Sequence, residues 1–260
     1  MKLGKRDGSV LFQRLTEGHS YAAALRMLLL YTRPLDIFYR ELFSKGGYPT
    51  TVVIRTPIGP RTVHLYHYED LSTLNSIFCR HDYAAPRPLE TVVDFGANIG
   101  LSCLYWLTRN PRSRVYLYEP VPANFEHLKL NLSGLESRYE PEQVAVSDSR
   151  GTVEFGIEPT GRLGSIGAQT GRTIQVRRVH VMDAIGPVLE RHGAIDCLKV
   201  DIEGHERAVL GGIEPKCFEK IRYINVEDIA GKTRPLVPPY FTCKRHMSIQ
   251  RYANTRLNGR

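Results

Sequence analysis

The 260-residue chain has no long apolar run, few cysteines and a single tryptophan. Its most apolar stretch, Ala22 to Tyr31, is short and is broken by Arg26, whereas a membrane-spanning helix needs about 20 apolar residues. Met1 to Ser20 is polar and lacks the apolar segment of a secretory leader. The five cysteines, Cys79, Cys103, Cys197, Cys217 and Cys243, are odd in number and contain no C-x-x-C pair. That argues against a disulfide framework and against a zinc site. A cytoplasmic protein with free thiols is expected.

Acidic residues are absent from the end of the sequence. From Lys232 onward there are seven Lys or Arg and no Asp or Glu, so the net charge of +8 comes almost entirely from that stretch. Residues 232–260 read as a basic tail, most simply a solvated end. Peripheral contact with anionic lipid is the alternative, and no nucleic-acid partner is expected.

Residues 1–88 read as an N-terminal extension, a cap on the main domain. Ala22 to Phe43 has the spacing of amphipathic helices, with Leu25, Leu28, Leu29, Ile37, Phe38 and Leu42 on the buried side. Two β-rich runs, Thr51 to Arg55 and Arg61 to Tyr66, flank Pro57-Ile58-Gly59-Pro60 and predict a hairpin. Glu69 to Phe78 is helical in pattern, and Ala85-Pro86-Arg87-Pro88 punctuates the chain.

The core, residues 89–231, is organised around Thr91 to Leu101. A β-branched run ends in Asp94, passes through Gly96-Ala97-Asn98-Ile99-Gly100 and opens into a segment with helical spacing. Such a strand-turn-helix unit suits a nucleotide-like cofactor at a helix N-terminus. A dinucleotide fingerprint would place glycines where this chain has Asn98 and Leu101. Asp94 and Asn98 instead suit the ammonium and carboxylate of a methionine moiety, which makes S-adenosylmethionine (SAM) the candidate cofactor. Arg114 to Tyr118 is a second strand ending in Glu119, an acid placed to accept from both hydroxyls of a ribose.

Gln143 to Val146 reads as the third strand, with Ser147 and Asp148 at its end. Asp148 is a candidate for accepting from an adenine amino group, against the plainer reading of an Asp-Ser-Arg-Gly turn. Thr152 to Ile157 and Thr173 to Val181 are strands joined by a glycine-rich loop. Ala194 to Val200 is a buried strand that leads into Asp201, Glu203, Gly204, His205 and Glu206, an ionisable cluster expected to face a cleft, to cap a helix, or both. Ile221 to Val226 is a fifth strand ending in Glu227 and Asp228. No spacing among these carboxylates specifies a metal site, and none is expected.

Together these motifs resemble the FkbM-type SAM-dependent methyltransferases. The resemblance rests on Val93 to Gly100, Tyr118-Glu119-Pro120 with Asn124-Phe125, Val144 to Asp148, and Leu198 to Glu206. It implies an α/β class I methyltransferase fold, a Rossmann-like doubly wound and mostly parallel sheet. It also implies methyl transfer to a hydroxyl, with a sugar of a glycan, glycolipid or secondary metabolite as the leading acceptor. Asp94, Gly96, Ala97, Asn98, Gly100, Glu119 and Asp148 are then the cofactor-binding candidates, and His205, Asp201 and Glu203 the candidates for the general base. Only 33 residues follow Glu227, so the C-terminal edge of the sheet is expected to be short, either an eroded end or a weakly patterned strand pair within Tyr240 to Tyr252. The rivals are a catalytically degenerate binding protein using the basic tail for an anionic partner, and an NAD-dependent oxidoreductase.

Overall fold

The computed structural model describes residues 2–3, 6–7, 18–43, 46–158, 164–167, 172–227 and 237–258. The chain divides into two units, Met1–Ala84 and Ala85–Arg260.

The first unit contains helices α1 (Gly18–Leu30) and α2 (Pro34–Phe43), strands β1 (Thr50–Thr56) and β2 (Gly59–Leu65), and helix α3 (Tyr68–Phe78). A short ladder also joins Lys2–Leu3 to Arg6–Asp7. β1 and β2 form the expected hairpin, closing where Thr56 pairs with Gly59. Gly59, at φ +106°, supplies a backbone conformation open to glycine. Alternation buries Val52, Ile54, Val63 and Leu65.

Helix α1 is rotated from its expected orientation. Leu25, Leu28 and Leu29 are exposed, and Met27, Leu30 and the adjoining Tyr31 are buried instead. Two polar anchors account for this. The Tyr31 hydroxyl donates to Asn75 Oδ1 on α3 at 2.7 Å, and the Arg26 guanidinium donates to the Cys79 carbonyl at 2.8 Å. Ile37 is buried and Phe38 half-buried, while the side chain of Leu42 lies outside the described residues.

In the second unit the chain runs through β3 (Thr91–Phe95), α4 (Leu101–Arg109), β4 (Arg114–Tyr118), α5 (Pro122–Asn131), β5 (Tyr139–Glu142) and β6 (Ala145–Ser147). It continues through β7 (Gly151–Ile157), β8 (Gly164–Ile166), β9 (Arg172–His180), α6 (Val181–His192) and β10 (Ile195–Val200). It ends with α7 (Glu206–Gly211), α8 (Pro215–Phe218), β11 (Ile221–Glu227), β12 (Phe241–His246), β13 (Ile249–Asn254) and α9 (Thr255–Asn258).

Seven strands form one sheet in the order β12-β13-β11-β10-β3-β4-β5. It is parallel from β11 to β5, and β12 and β13 pair antiparallel at the other edge. β3 runs between β10 and β4, so successive crossovers leave it in opposite directions. That reversal opens a crevice at the carboxyl ends of the strands. This is the expected α/β doubly wound fold. On one face, Val93, Phe95, Leu198, Val200, Ile224 and Val226 pack with Val181, Ala184, Ile185 and Val188 of α6. Because side chains alternate, Asp94, Lys199 and Asn225 point to the opposite face.

Two expectations need correction. The third strand of the sheet is Tyr139–Glu142, and Ala145–Ser147 instead pairs with β9 in a second sheet of order β8-β7-β9-β6. Tyr139 to Glu142 lacks a strand pattern because it is an edge strand, where Pro141 costs no interior hydrogen bond. Most of the glycine-rich loop, 159–163 and 168–171, lies outside the described residues, but Gly164–Ile166 adds a strand to β7.

The C-terminal edge is complete. β12 and β13 reverse at Met247, which adopts φ +56°, and β13 pairs with β11 from Tyr223 to Glu227. A basic tail and a sheet edge therefore share the same residues: Phe241 and Tyr252 enter the core, whereas the consecutive Lys244 and Arg245 are exposed. Removing residues 237–260 would strip β11 of its antiparallel partner and expose Ile224 and Val226. Such a protein is expected to lose its cooperative thermal transition, as followed by circular dichroism. A transition matching that of the full chain would contradict this role for the hairpin.

Candidate active site

The register of three neighbouring strands assembles the site. Asp94 on β3 lies opposite Lys199 on β10, and Lys199 lies opposite Asn225 on β11. Two residues further along each strand, on the same face, come Gly96, Asp201 and Glu227.

Lys199 joins the two rows. Its ammonium, on a residue 2% exposed, donates to Asp94 Oδ1 at 2.9 Å, the Gly96 carbonyl at 2.8 Å and the Phe95 carbonyl at 3.4 Å. Asp201 Oδ2 is 3.3 Å away. Asp94 is fully buried, and its other oxygen accepts from Ser102 Oγ at 2.5 Å and Cys103 Sγ at 3.2 Å. Burial, with the Asp94 charge beside it, pushes the Cys103 thiol well above its usual range. The Asp94 carboxylate thus faces the protein and ties β3 to β10 and to the first turn of α4.

The turn after β3 is bound to the end of β4. The Gly96 and Ala97 amides donate to the Tyr118 carbonyl at 3.0 and 3.1 Å, and the Asn98 amide donates to Glu119 Oε2 at 2.8 Å. Asn98 sits at φ +50°, a left-handed conformation that asparagine tolerates, and its Oδ1 accepts from the Ile99 amide at 2.7 Å. Gly96 and Gly100 have φ of +78° and +84°. A Cβ on Gly96 would lie 1.9 Å from the Asp201 carbonyl oxygen, and one on Gly100 would lie 3.0 Å from Leu128 Cβ. Both glycines therefore make room for the protein's own chain, a reason that the motif alone does not reveal.

Glu119 is buried at the end of β4. Oε1 accepts from the Val121 amide at 3.0 Å, and Asn124 adds a side-chain hydrogen bond. Burial pushes its carboxyl up to about 7, against the lowering effect of the Val121 and Asn98 amides, Asn124 and Lys199. With two oxygens and about four acceptor positions, Glu119 has capacity beyond these three partners.

The cluster after β10 splits into separate roles. Glu206 accepts from the Ile202 amide at 3.2 Å and the Gly204 amide at 3.0 Å, so it caps the turn. Glu203 adopts φ +54°, and its carbonyl accepts from Ser165 Oγ at 2.7 Å. His205 precedes α7, and its buried Nδ1 has no hydrogen-bond partner among the described residues. Asp148 is exposed in its own turn, where its Oδ1 accepts from Ser147 Oγ at 3.0 Å and Ser149 Oγ at 3.2 Å; the Ser147 hydroxyl is the main influence holding its carboxyl low.

Glu227 closes the group at the end of β11. It accepts from Ser248 Oγ at 2.8 Å and shares a side-chain hydrogen bond with Asp201. Burial, and then the charge of Asp201, push its carboxyl up to about 7. Asp228 lies outside the described residues. Among the described residues, no group of three or more His, Cys, Asp or Glu could hold a metal ion.

The structure thus unites Asp94, Gly96 and Asp201 around Lys199, and Ala97, Asn98 and Glu119 around the β3–α4 turn. Sequence patterns alone leave the importance of Lys199 and Glu227 hidden. The available signal is a two-residue spacing: D-x-G at 94–96, K-x-D at 199–201 and N-x-E at 225–227 each put both residues on one strand face.

The profile of the methyltransferase FkbM domain matches residues 94–236, more than half of the chain. The chain belongs to the FkbM methyltransferase family. Among curated FkbM relatives, the 31-O-demethyl-FK506 methyltransferase FkbM of Streptomyces tacrolimicus is 27% identical over 216 residues, 68% of this chain and 82% of its own length. The hexuronic acid methyltransferase AglP of Haloferax volcanii is 27% identical over 145 residues, 55% of this chain and 57% of its own length. The crystal structure of methyltransferase FkbM from Methylobacillus flagellatus aligns with a TM-score of 0.49 at 15% identity, covering 95% of this chain and 60% of that one. The chain therefore spans less than two thirds of the last two.

The close approach at Gly96 yields a stability test. Gly96→Ala requires β10 to move away from a Cβ at φ +78°, so it should lower the thermal midpoint by many degrees or prevent folding. Gly211→Ala, in α7 with nothing within 4 Å of its Cβ, should leave the midpoint unchanged or raise it slightly. Equal midpoints for the two variants would contradict the packing role of Gly96.

Proposed function

We propose that the protein transfers the methyl group of SAM to a hydroxyl, on a sugar of a glycan, glycolipid or secondary metabolite. The observation that carries the cofactor assignment is Glu119. It is a buried carboxylate with unused acceptor capacity, held by the turn between β3 and α4 at the carboxyl end of the sheet. Such a group fits the paired hydroxyls of a ribose. Gly96, Ala97, Asn98 and Gly100 shape the neighbouring turn. Asp94 acts at one remove in this reading, by fixing Lys199 and α4, and Asp148 is left as a turn residue at the rim.

When bound, SAM supplies a methyl group on a positively charged sulfur. The chain's own task is to hold an acceptor hydroxyl in place and to take its proton. Asp201 is the favoured base because it sits at the end of β10, beside Gly96 and paired with Lys199. His205, with its unpaired Nδ1, is suited to orient the acceptor. Glu203, in its left-handed turn, is the weaker candidate of the three.

The acceptor class is supported by family membership and by what the relatives' names state: one acts on an oxygen of a demethylated FK506, the other on a hexuronic acid. The oxidoreductase reading loses support from Asn98 and Leu101, and the degenerate-fold reading loses it because the sheet edge is complete. No described helix is long and apolar enough to cross a membrane.

Two calorimetric outcomes test the cofactor assignment. Glu119→Ala should weaken SAM binding by about 1–3 kcal/mol, the cost of unmade charged hydrogen bonds, and unchanged affinity would refute the ribose role. Affinity in the parent protein should also fall as pH drops from 8 to 6, because Glu119, with its pKa near 7, loses acceptor capacity when protonated. Glu119→Gln should flatten that dependence.

A further inference from the structure

Asp201 and Glu227 come next after the paired Val200 and Val226 on adjacent strands, at the carboxyl end where the proposed acceptor would meet the cofactor. Neighbouring positions on one face bring the two carboxyl groups within hydrogen-bonding reach of each other. A hydrogen bond between them needs a donor, so one of the two carries a proton whenever it forms. The surroundings decide which. Lys199 Nζ lies 3.3 Å from Asp201 Oδ2 and favours its charged form. Glu227 is half-buried and accepts from the neutral Ser248 hydroxyl on the β12–β13 hairpin. From β13, Arg251 lies opposite Asn225, one row back, and Ile249 stands directly opposite Glu227; His246 on β12 is opposite Ile249. Asp94 on β3 is held by Lys199.

We infer that Asp201 and Glu227 form a proton-sharing pair, in which Glu227 donates to Asp201 at rest and sets when Asp201 can act as the base. This rests on the hydroxyl-methylation reading of the same site. The pair holds one proton at rest. Losing it to water leaves both groups ionised and frees an acceptor position on Asp201. As the acceptor oxygen forms its bond to the methyl carbon, its O–H bond breaks and the proton enters the pair, restoring the resting state. One proton leaves to water per turnover, which balances the loss of the sulfonium charge. Glu227 is thus a positioning residue that works through Asp201. Its high proton affinity, due first to burial, means that the active form accumulates as pH rises through about 7.

Two readouts separate the pair from the reaction. In protein carrying carbon-13 at the Asp and Glu carboxyls, without cofactor, the Glu227 resonance should titrate near pH 7, with Asp201 responding in the same step. Asp201→Asn should move the Glu227 midpoint by more than one pH unit. A Glu227 midpoint in the ordinary carboxylate range, or one unmoved by Asp201→Asn, would overturn the pair whatever the enzyme's substrate.

The second readout is methyl transfer from SAM to a hexuronic acid, glucuronic acid serving as probe. The parent kcat should rise with pH through about 7. Glu227→Gln, with SAM affinity retained by calorimetry, should cut the plateau at least tenfold and shift that limb by more than one pH unit. A limb left unmoved by Glu227→Gln would overturn the proton-sharing role. Absence of turnover in the parent chain would count against this acceptor, and the carboxyl titration would then decide the pair alone.

Discussion

An ammonium group taken out of water has to recover its solvation from the protein, and Lys199 does so from two strand ends at once. Asp94 supplies charge from β3, the Phe95 and Gly96 carbonyls supply acceptors from the adjoining turn, and Asp201 supplies a second charge from β10. Breaking the fully buried Lys199–Asp94 pair would strand a charge, which costs about 3–5 kcal/mol. The lysine therefore constrains where β3 ends, where β10 ends and how closely the two turns approach. The 1.9 Å gap that a Cβ on Gly96 would face is a consequence of that approach. From the Asp94 side the same constraint reaches α4 through Ser102 and Cys103.

A second, separate tie holds the neighbouring turn. Glu119 accepts from the Asn98 and Val121 amides, so the loop after β3 is tied to the end of β4 as well as to that of β10. The crevice is bordered by carboxyl groups of different character. Asp94 is saturated by donors, Glu119 and Glu227 are raised by burial, and Asp201 is stabilised by a lysine. Differences of this kind allow neighbouring acids to take different parts in one reaction.

The sheet is legible in the sequence because its strands are apolar and β-branched and each ends in punctuation: Asp94 before glycine, Glu119 before proline, Asp201 before a polar turn. Where the pattern is faint, the physical reason is visible. Tyr139–Glu142 and Phe241–His246 are edge strands with one exposed flank, so polar residues are tolerated and periodicity is lost. The orientation of α1 departs from its leucine stripe, and two long-range polar contacts, Tyr31 to Asn75 and Arg26 to Cys79, lie on the face that is buried instead. In the site, sequence exposes the ionisable residues but not their partners. Lys199 looks like one charge among many until the register places it opposite Asp94, and Glu227 gains meaning only from its neighbour Asp201 on another strand.

The coupling between Asp94 and Lys199 is the most direct measure of whether the buried ammonium governs the site. Chemical denaturation of the parent, Asp94→Asn, Lys199→Met and the double variant gives that coupling as a double-mutant cycle. The expected result is a loss of several kcal/mol in each single variant and a double variant less destabilised than their sum, by at least about 1 kcal/mol. Strictly additive losses, or a Lys199→Met variant as stable as the parent, would contradict the account.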